Sequence, residues 1–135
     1  MIAGLGIDVV DLASFSQLVR EPGTAFLERT FTAQERQTAS SRPSGEPMVH
    51  LAARYAAKEA CVKALAQALA SSPIALPKEL AALTEIEVIN DEHARPSLAL
   101  CGRVRALTRE AGVRILHLSM SHDGPFAAAV VVAER

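Results

Sequence analysis

The sequence predicts an α+β fold in one domain covering residues 1–135. Three observations carry that expectation. The 135-residue length is that of one domain, and a 50% hydrophobic composition is enough for a core. A single Ala- and Leu-rich run in the middle of the chain has the composition of one long helix. Around it, short helical patterns and antiparallel hairpin patterns alternate irregularly rather than as repeating strand–helix–strand units.

The elements follow in order. Residues 2–10 alternate with a period of two, in the pattern of a buried strand. Ile2, Gly4, Gly6 and Asp8 fall on one face, and Ala3, Leu5, Ile7 and Val9 on the other. Asp11 is placed to cap a short helix whose inner face is Leu12, Phe15, Leu18 and Val19, and Pro22-Gly23 ends it. Phe26 and Leu27 suggest one more helical turn. Thr32 and Glu35 have capping-box spacing and open another helix. Ser40 to Pro47 is polar, holds two prolines and a glycine, and is expected as a surface loop.

The long helix is expected from about His50 to Ala70, with the Ser71–Pro77 segment breaking it. Strands are expected at Glu85–Asn90 and Ser97–Cys101, joined by a turn around Asp91–Pro96. A helix at about Arg103–Ala111 ends at Gly112, a residue suited to a left-handed C-terminal cap. The C-terminus is expected as a hairpin, Val113–Ser121 and Phe126–Ala133, turning through His122-Asp123-Gly124-Pro125.

Composition removes several functional classes. The 14 basic and 15 acidic residues nearly cancel, which argues against a nucleic-acid module driven by phosphate neutralisation. No apolar run approaches the roughly 20 residues of a membrane helix. MIAGLGIDVV has no basic leader and carries Asp8 too early for a signal peptide, so a cytoplasmic location is expected. Cys61 and Cys101 lack metal-ligand spacing and are expected as buried free thiols.

Three places could carry chemistry. On the long helix, steps of about 100° per residue put Leu51, Tyr55, Val62, Ala66 and Leu69 in one apolar stripe, with Glu59 at its border and Lys63 further round. A carboxylate beside an apolar face needs a cation or strong hydrogen bonds. The simpler alternative is an exposed Glu59–Lys63 pair one turn apart. Asp8 ends a strand on the face that Gly4 and Gly6 leave open to a ligand or another backbone; a helix-capping or turn role is its alternative. Should the two carboxylates meet near Lys63, they suit a hard cation bridging phosphates. Lastly, His117, Ser119 and Ser121 share a strand face and His122 begins a turn. With no nucleophile elbow in the chain, a ligand-binding strand end fits better than a serine hydrolase.

These three places coincide with a known pattern. GIDVVD (6–11), ARYAAKEACVKA (53–64) and LSMSHDGPFAAAVVV (118–132) resemble the motif regions of bacterial holo-acyl-carrier-protein synthases, members of the 4′-phosphopantetheinyl transferase family. FTAQE (31–35) and the Ile86–Pro96 region also fit, and the pattern is similar to that of actinobacterial members. The resemblance implies a compact fold with an antiparallel sheet and one long helix, assembled as a homotrimer with coenzyme A between subunits. It implies Mg2+ held by Asp8 and Glu59, nucleotide phosphates contacted by Arg54 and His122, and Lys63 beside the reacting phosphate. Phosphopantetheine would pass from coenzyme A to a serine of an acyl carrier protein, or of a carrier domain in a fatty-acid synthase. Glu59 is then the candidate to accept the serine proton. The alternative is a coenzyme A or nucleotide-binding module without transfer activity.

The chain departs from that pattern at three points. Ser71-Ser72-Pro73-Ile74 stands where a Gly-rich stretch is common. Ala94 stands where a glycine is usual, and the first helix has Ser14 and Gln17 where basic residues for an acidic carrier are frequent.

Overall fold

In the computed structural model, residues 1–41, 47–70, 72–74 and 82–135 are described. The order is β1 (Ile2–Asp11), α1 (Leu12–Arg20), α2 (Phe26–Thr30), α3 (Ala33–Ser41), α4 (Pro47–Leu69), a 3₁₀ turn at Leu83–Glu85, β2 (Ile86–Asn90), β3 (Pro96–Leu100), α5 (Gly102–Glu110), β4 (Ile115–Asp123) and β5 (Phe126–Glu134). An antiparallel sheet of order β1-β5-β4 carries α4 across one face, and β2-β3 form a separate hairpin. The α+β expectation holds. The loop expected at Ser40–Pro47 contributes Ser40 and Ser41 to α3 and Pro47 to α4; the rest of it, and most of Ser71–Pro77, lie outside the described residues.

Both expected N-terminal caps form. Asp11 Oδ2 accepts from the Ser14 amide at 2.9 Å. Thr32 Oγ1 accepts from the Glu35 amide at 3.1 Å, while Glu35 Oε1 accepts from the Thr32 amide at 3.0 Å. Glu35 does more than cap. Its buried carboxylate meets the buried Lys58 ammonium at 2.6 Å, and its Oε2 accepts from the Val88 amide at 3.0 Å. Lys58 Nζ also donates to the carbonyls of Leu83 at 2.8 Å and Ile86 at 2.6 Å. Burial pulls the Lys58 ammonium below its ordinary range, and the Glu35 charge opposes that pull. This pair ties α3, α4 and β2 together. Breaking such a pair by removing one partner costs about 3–5 kcal/mol.

The stripe expected on α4 is only partly the buried surface: Leu51 and Leu69 are buried, the rest are not. Ala66 is exposed, and Tyr55 and Val62 are only partly covered. The buried apolar positions are Ala52, Ala53, Ala56, Ala57, Ala60, Cys61, Ala64, Leu65 and Ala68, with Leu51 and Leu69. The helix is covered from two sides, by the sheet and by the α1–α3 and β2 layer, so no single stripe defines its core. Alanine, too small to mark a stripe by size, is what lets the sheet come close.

The closest approach is at two glycines. A Cβ on Gly6 would lie 1.8 Å from the Ala60 carbonyl oxygen, and one on Gly4 would lie 2.0 Å from that of Ala64. The room left by these glycines is therefore taken by the α4 backbone. The other face of β1 departs from the expectation of a buried strand. Leu5, Ile7 and Val9 are 49%, 57% and 59% exposed. They continue across Val132, Val130 and Ala128 to His117, Ser119 and Ser121, giving an open sheet face with an apolar centre.

Smaller differences have local causes. Leu18 is exposed on α1 because Phe15, packed on Phe26, Phe31 and Tyr55, fills the inner face. Cys61 is buried, its thiol pushed up to about 12, but Cys101 is exposed, since it lies past the end of β3 as the residue before α5. Glu85 belongs to the 3₁₀ turn rather than to β2, and its Oε2 accepts from the Val104 amide at 3.0 Å, which caps α5. His122 lies in β4 rather than in the turn, because only Gly124 and Pro125 separate the paired residues Asp123 and Phe126. Ala94 takes φ +59°, so the β2–β3 turn keeps the left-handed conformation that glycine adopts more easily. Asp91 Oδ1 holds this turn by accepting from the His93 and Arg95 amides at 2.8 and 2.9 Å.

Gly6→Ala is expected to destabilise the protein by at least about 3 kcal/mol, or roughly 10 °C in Tm, because neither backbone can yield without moving α4 off the sheet. Thermal unfolding followed by circular dichroism checks this; an unchanged Tm contradicts the contact.

Candidate active site

The β1–α4 contact sets what lies beyond it. Following Gly4 and Gly6 along the helix-facing side of β1, the next side chain is Asp8. Its Oδ1 accepts from Lys63 Nζ at 3.1 Å, and the same ammonium donates to the Ile7 carbonyl at 2.9 Å. Lys63 is half-exposed, so water screens this ion pair, and such pairs contribute at most about 1 kcal/mol. The spacing-allowed Glu59–Lys63 pair does not take the ammonium. The capping role open to Asp8 falls to Asp11.

Glu59 lies one turn before Lys63 on α4, half-buried. Asp8, Glu59 and Tyr55 line one cleft of about 250 Å3, floored by Phe15 and bordered by Ser14 and Leu18. Burial raises the Glu59 carboxyl above its ordinary range, the nearby Asp8 charge raises it further, and the Lys63 charge and the neighbouring Tyr55 hydroxyl act in the opposite direction. Burial also raises the Tyr55 hydroxyl, with the Glu59 and Asp8 charges adding to the effect. The two carboxylates therefore feel one another, and a cation between them removes that repulsion.

Among the described residues no group of three or more His, Cys, Asp and Glu side chains is arranged to hold a metal ion. Two carboxylates on an open cleft still fit Mg2+. That ion keeps several waters and commonly takes one or two carboxylates plus substrate phosphates, in preference to a cage made wholly of protein.

The other expected site residues lie elsewhere in the chain. Arg54 is buried, with Nη1 donating to the His50 carbonyl at 3.2 Å. His122 is exposed and lines a separate hollow with Ser121, Asp123, Phe126 and Ala128. It sits on the far strand of the sheet, two strand spacings, or about 10 Å, across from β1. One chain thus brings Asp8, Glu59 and Lys63 together but not His122. A further open hollow of about 730 Å3 runs along α1 beside Ser14, Gln17, Leu18, Arg20 and Glu21, and shares Ser14 and Leu18 with the carboxylate cleft.

Two features escape sequence reasoning. The buried Glu35–Lys58 pair is signalled only by a lysine set among alanines. Tyr55 is legible as an apolar-stripe residue, but not as one that lines the cleft with Asp8 and Glu59. Among the described residues no helix is long and apolar enough to cross a membrane.

The chain is 36% identical over 135 residues to a holo-[acyl-carrier-protein] synthase of Geotalea daltonii, covering all of both chains. It is 42% identical over 134 residues to one of a Mycobacterium species (strain KMS), covering 99% of this chain and 98% of the relative. In structure it is similar to a Chronobacterium ammoniagenes ACPS–CoA complex, with a TM-score of 0.85 and 38% identity over 97% of this chain and 96% of that one. The family model of the 4′-phosphopantetheinyl transferase superfamily matches residues 4–131, and the chain belongs to that family.

Proposed function

We propose that residues 1–135 act as one transferase domain in the cytoplasm, moving 4′-phosphopantetheine from coenzyme A to a serine of an acyl carrier protein or carrier domain. The observation that carries the reading is the cleft lined by both Asp8 and Glu59, with Lys63 paired to Asp8, in a chain of this family. The carrier serine oxygen attacks the phosphorus that bears the pantetheine arm. The bond from that phosphorus to the oxygen of the neighbouring phosphate breaks, and 3′,5′-ADP leaves.

In this reading Asp8 and Glu59 hold Mg2+, which when bound neutralises charge on the pyrophosphate. Lys63 leaves Asp8 and stabilises the departing phosphate. Glu59, directly or through a water, accepts the serine proton. The carrier approaches along α1, whose open hollow adjoins the cleft and holds Arg20 as its one basic residue. The neutral Ser14 and Gln17 make this docking less salt-dependent than a basic helix would.

His122 joins the same reaction through assembly. Its hollow lies apart from the Asp8–Glu59 cleft within one chain, and the open face of β1 and β5 needs cover. A homotrimer in which His122 of one subunit meets the carboxylates of the next supplies both. Arg54 enters the phosphate-binding set from the family resemblance alone, its guanidinium being buried in the single chain.

Incubation with coenzyme A, Mg2+ and a panel of apo carriers should add the mass of phosphopantetheine to a carrier. Asp8→Ala and Glu59→Ala should each lower turnover by about 100-fold or more with Tm retained. Lys63→Met should lower kcat by a similar factor with a much smaller change in coenzyme A affinity. Transfer without a divalent cation, or near-normal turnover by any of the three, contradicts the assignment; coenzyme A binding with no mass shift on any carrier points to the non-catalytic module.

Sedimentation should give three times the chain mass. Ile7→Asp, on the exposed centre of β1, should yield monomers that lose activity while remaining folded. A fully active monomer contradicts the composite site.

A further inference from the structure

Two neighbouring side chains of α4 hold the backbone of β1, an edge strand of its sheet. Gln67 Oε1 accepts from the Leu5 amide at 2.8 Å, and Lys63 Nζ donates to the Ile7 carbonyl at 2.9 Å. The two side chains are one helical turn apart, so they lie side by side along the strand. Lys63 makes a second contact, to Asp8 Oδ1 at 3.1 Å. Among the described residues it is the one hydrogen-bonding partner of that carboxylate.

The two ends of this ion pair differ in exposure. The Asp8 side chain is 19% exposed and that of Lys63 54%. A carboxylate so covered needs a counter-ion, while an ammonium on a flexible stem can exchange one anion for another. A divalent cation brought to Asp8 meets the ammonium at the same carboxylate, where like charges repel. A phosphate entering beside the cleft offers the ammonium another partner and clears Asp8. The Gln67 bond to Leu5 does not involve Lys63, so β1 retains a tie to α4 when the ammonium moves.

We propose that Lys63 is the counter-ion of Asp8 in the free protein, and that its transfer to the coenzyme A phosphates makes cation and coenzyme A bind cooperatively. This rests on the transferase reading and adds a regulation of its site: the free protein holds the cation weakly, and the complete site assembles with the nucleotide. Coupling of this kind is reciprocal, so each ligand tightens the other by the same factor. The ion pair is open to water on the lysine side, which limits the part carried by Lys63 to about fivefold. The ammonium gives up Asp8 to reach the phosphates, so its net contribution to coenzyme A affinity is small.

The test measures Mn2+ binding to wild type, Lys63→Met and Lys63→Gln, each with and without saturating coenzyme A, reading free Mn2+ by electron paramagnetic resonance. Melting curves establish that the variants are folded. Without coenzyme A both variants should bind Mn2+ about fivefold more tightly than wild type. With coenzyme A that advantage should vanish, so coenzyme A tightens Mn2+ binding less in the variants than in wild type. Equal or weaker Mn2+ binding by the variants without coenzyme A overturns the proposal and leaves the transferase reading standing, since Asp8 is then not blocked. The same gain with and without coenzyme A also overturns it, because Lys63 is then a fixed nearby charge that does not change partners. Wild type that shows neither Mn2+ binding with coenzyme A nor transfer overturns the transferase reading itself, and the proposal with it.

Discussion

Backbone against backbone, β1 on α4, is the contact on which the remainder of the molecule depends. Side chains ordinarily keep a strand and a helix about 10 Å apart. At Gly4 and Gly6 there are none, and the strand lies against the carbonyls of Ala60 and Ala64. The alanine rows of α4 extend the same closeness to Ala127, Ala129 and Ala133 of β5. Such a contact fixes both the distance and the register of strand and helix. It therefore fixes where Asp8, the next helix-facing residue of β1, stands relative to Glu59 and Lys63. From the opposite side the buried Glu35–Lys58 pair holds α4 to α3 and β2, so the helix that bears two of the three site residues is gripped on both flanks.

The site stores an electrostatic imbalance. Glu59 is held above the ordinary carboxylic range first by burial and then by Asp8. A carboxyl with a raised folded-state pKa binds more protons folded than unfolded between its two pKa values. Stability from this group therefore falls as pH rises from the ordinary carboxylic range through the raised one. A cation bound between the carboxylates, as proposed, would oppose that shift. In the proposed cation site, metal and proton would compete for the same oxygens, and cation affinity would rise as Glu59 loses its proton.

Much of this was legible in the residues. The period-two pattern of residues 2–10, the Asp11 and Thr32–Glu35 caps and the Gly112 stop are local signals, and local hydrogen bonds enforce them. GIDVVD and the Lys58–Ala64 motif marked the carboxylates and Lys63, which the fold brings together. What sequence periodicity missed depends on neighbours. An alanine is neutral in a search for stripes, so the buried faces of α4 were invisible until the sheet lay on them. Leu5, Ile7 and Val9 look like core residues and face outward, because a pattern shows which residues share a face and not what covers it. The separation of His122 from Asp8 follows from strand order, β5 lying between β1 and β4, and no spacing along the chain encodes that order.

The central claim is that the glycine contact exists to bring the Asp8 carboxylate beside that of Glu59 as a shared cation site. A crystal structure of the protein with Mg2+ and coenzyme A tests it most directly. The account predicts one cation with oxygen ligands from both Asp8 and Glu59 at about 2.0–2.1 Å, the remaining positions filled by phosphate and water, and Lys63 withdrawn from Asp8 toward the pyrophosphate. A cation bound elsewhere, or phosphates held with Lys63 still on Asp8 and neither carboxylate ligating, would contradict it.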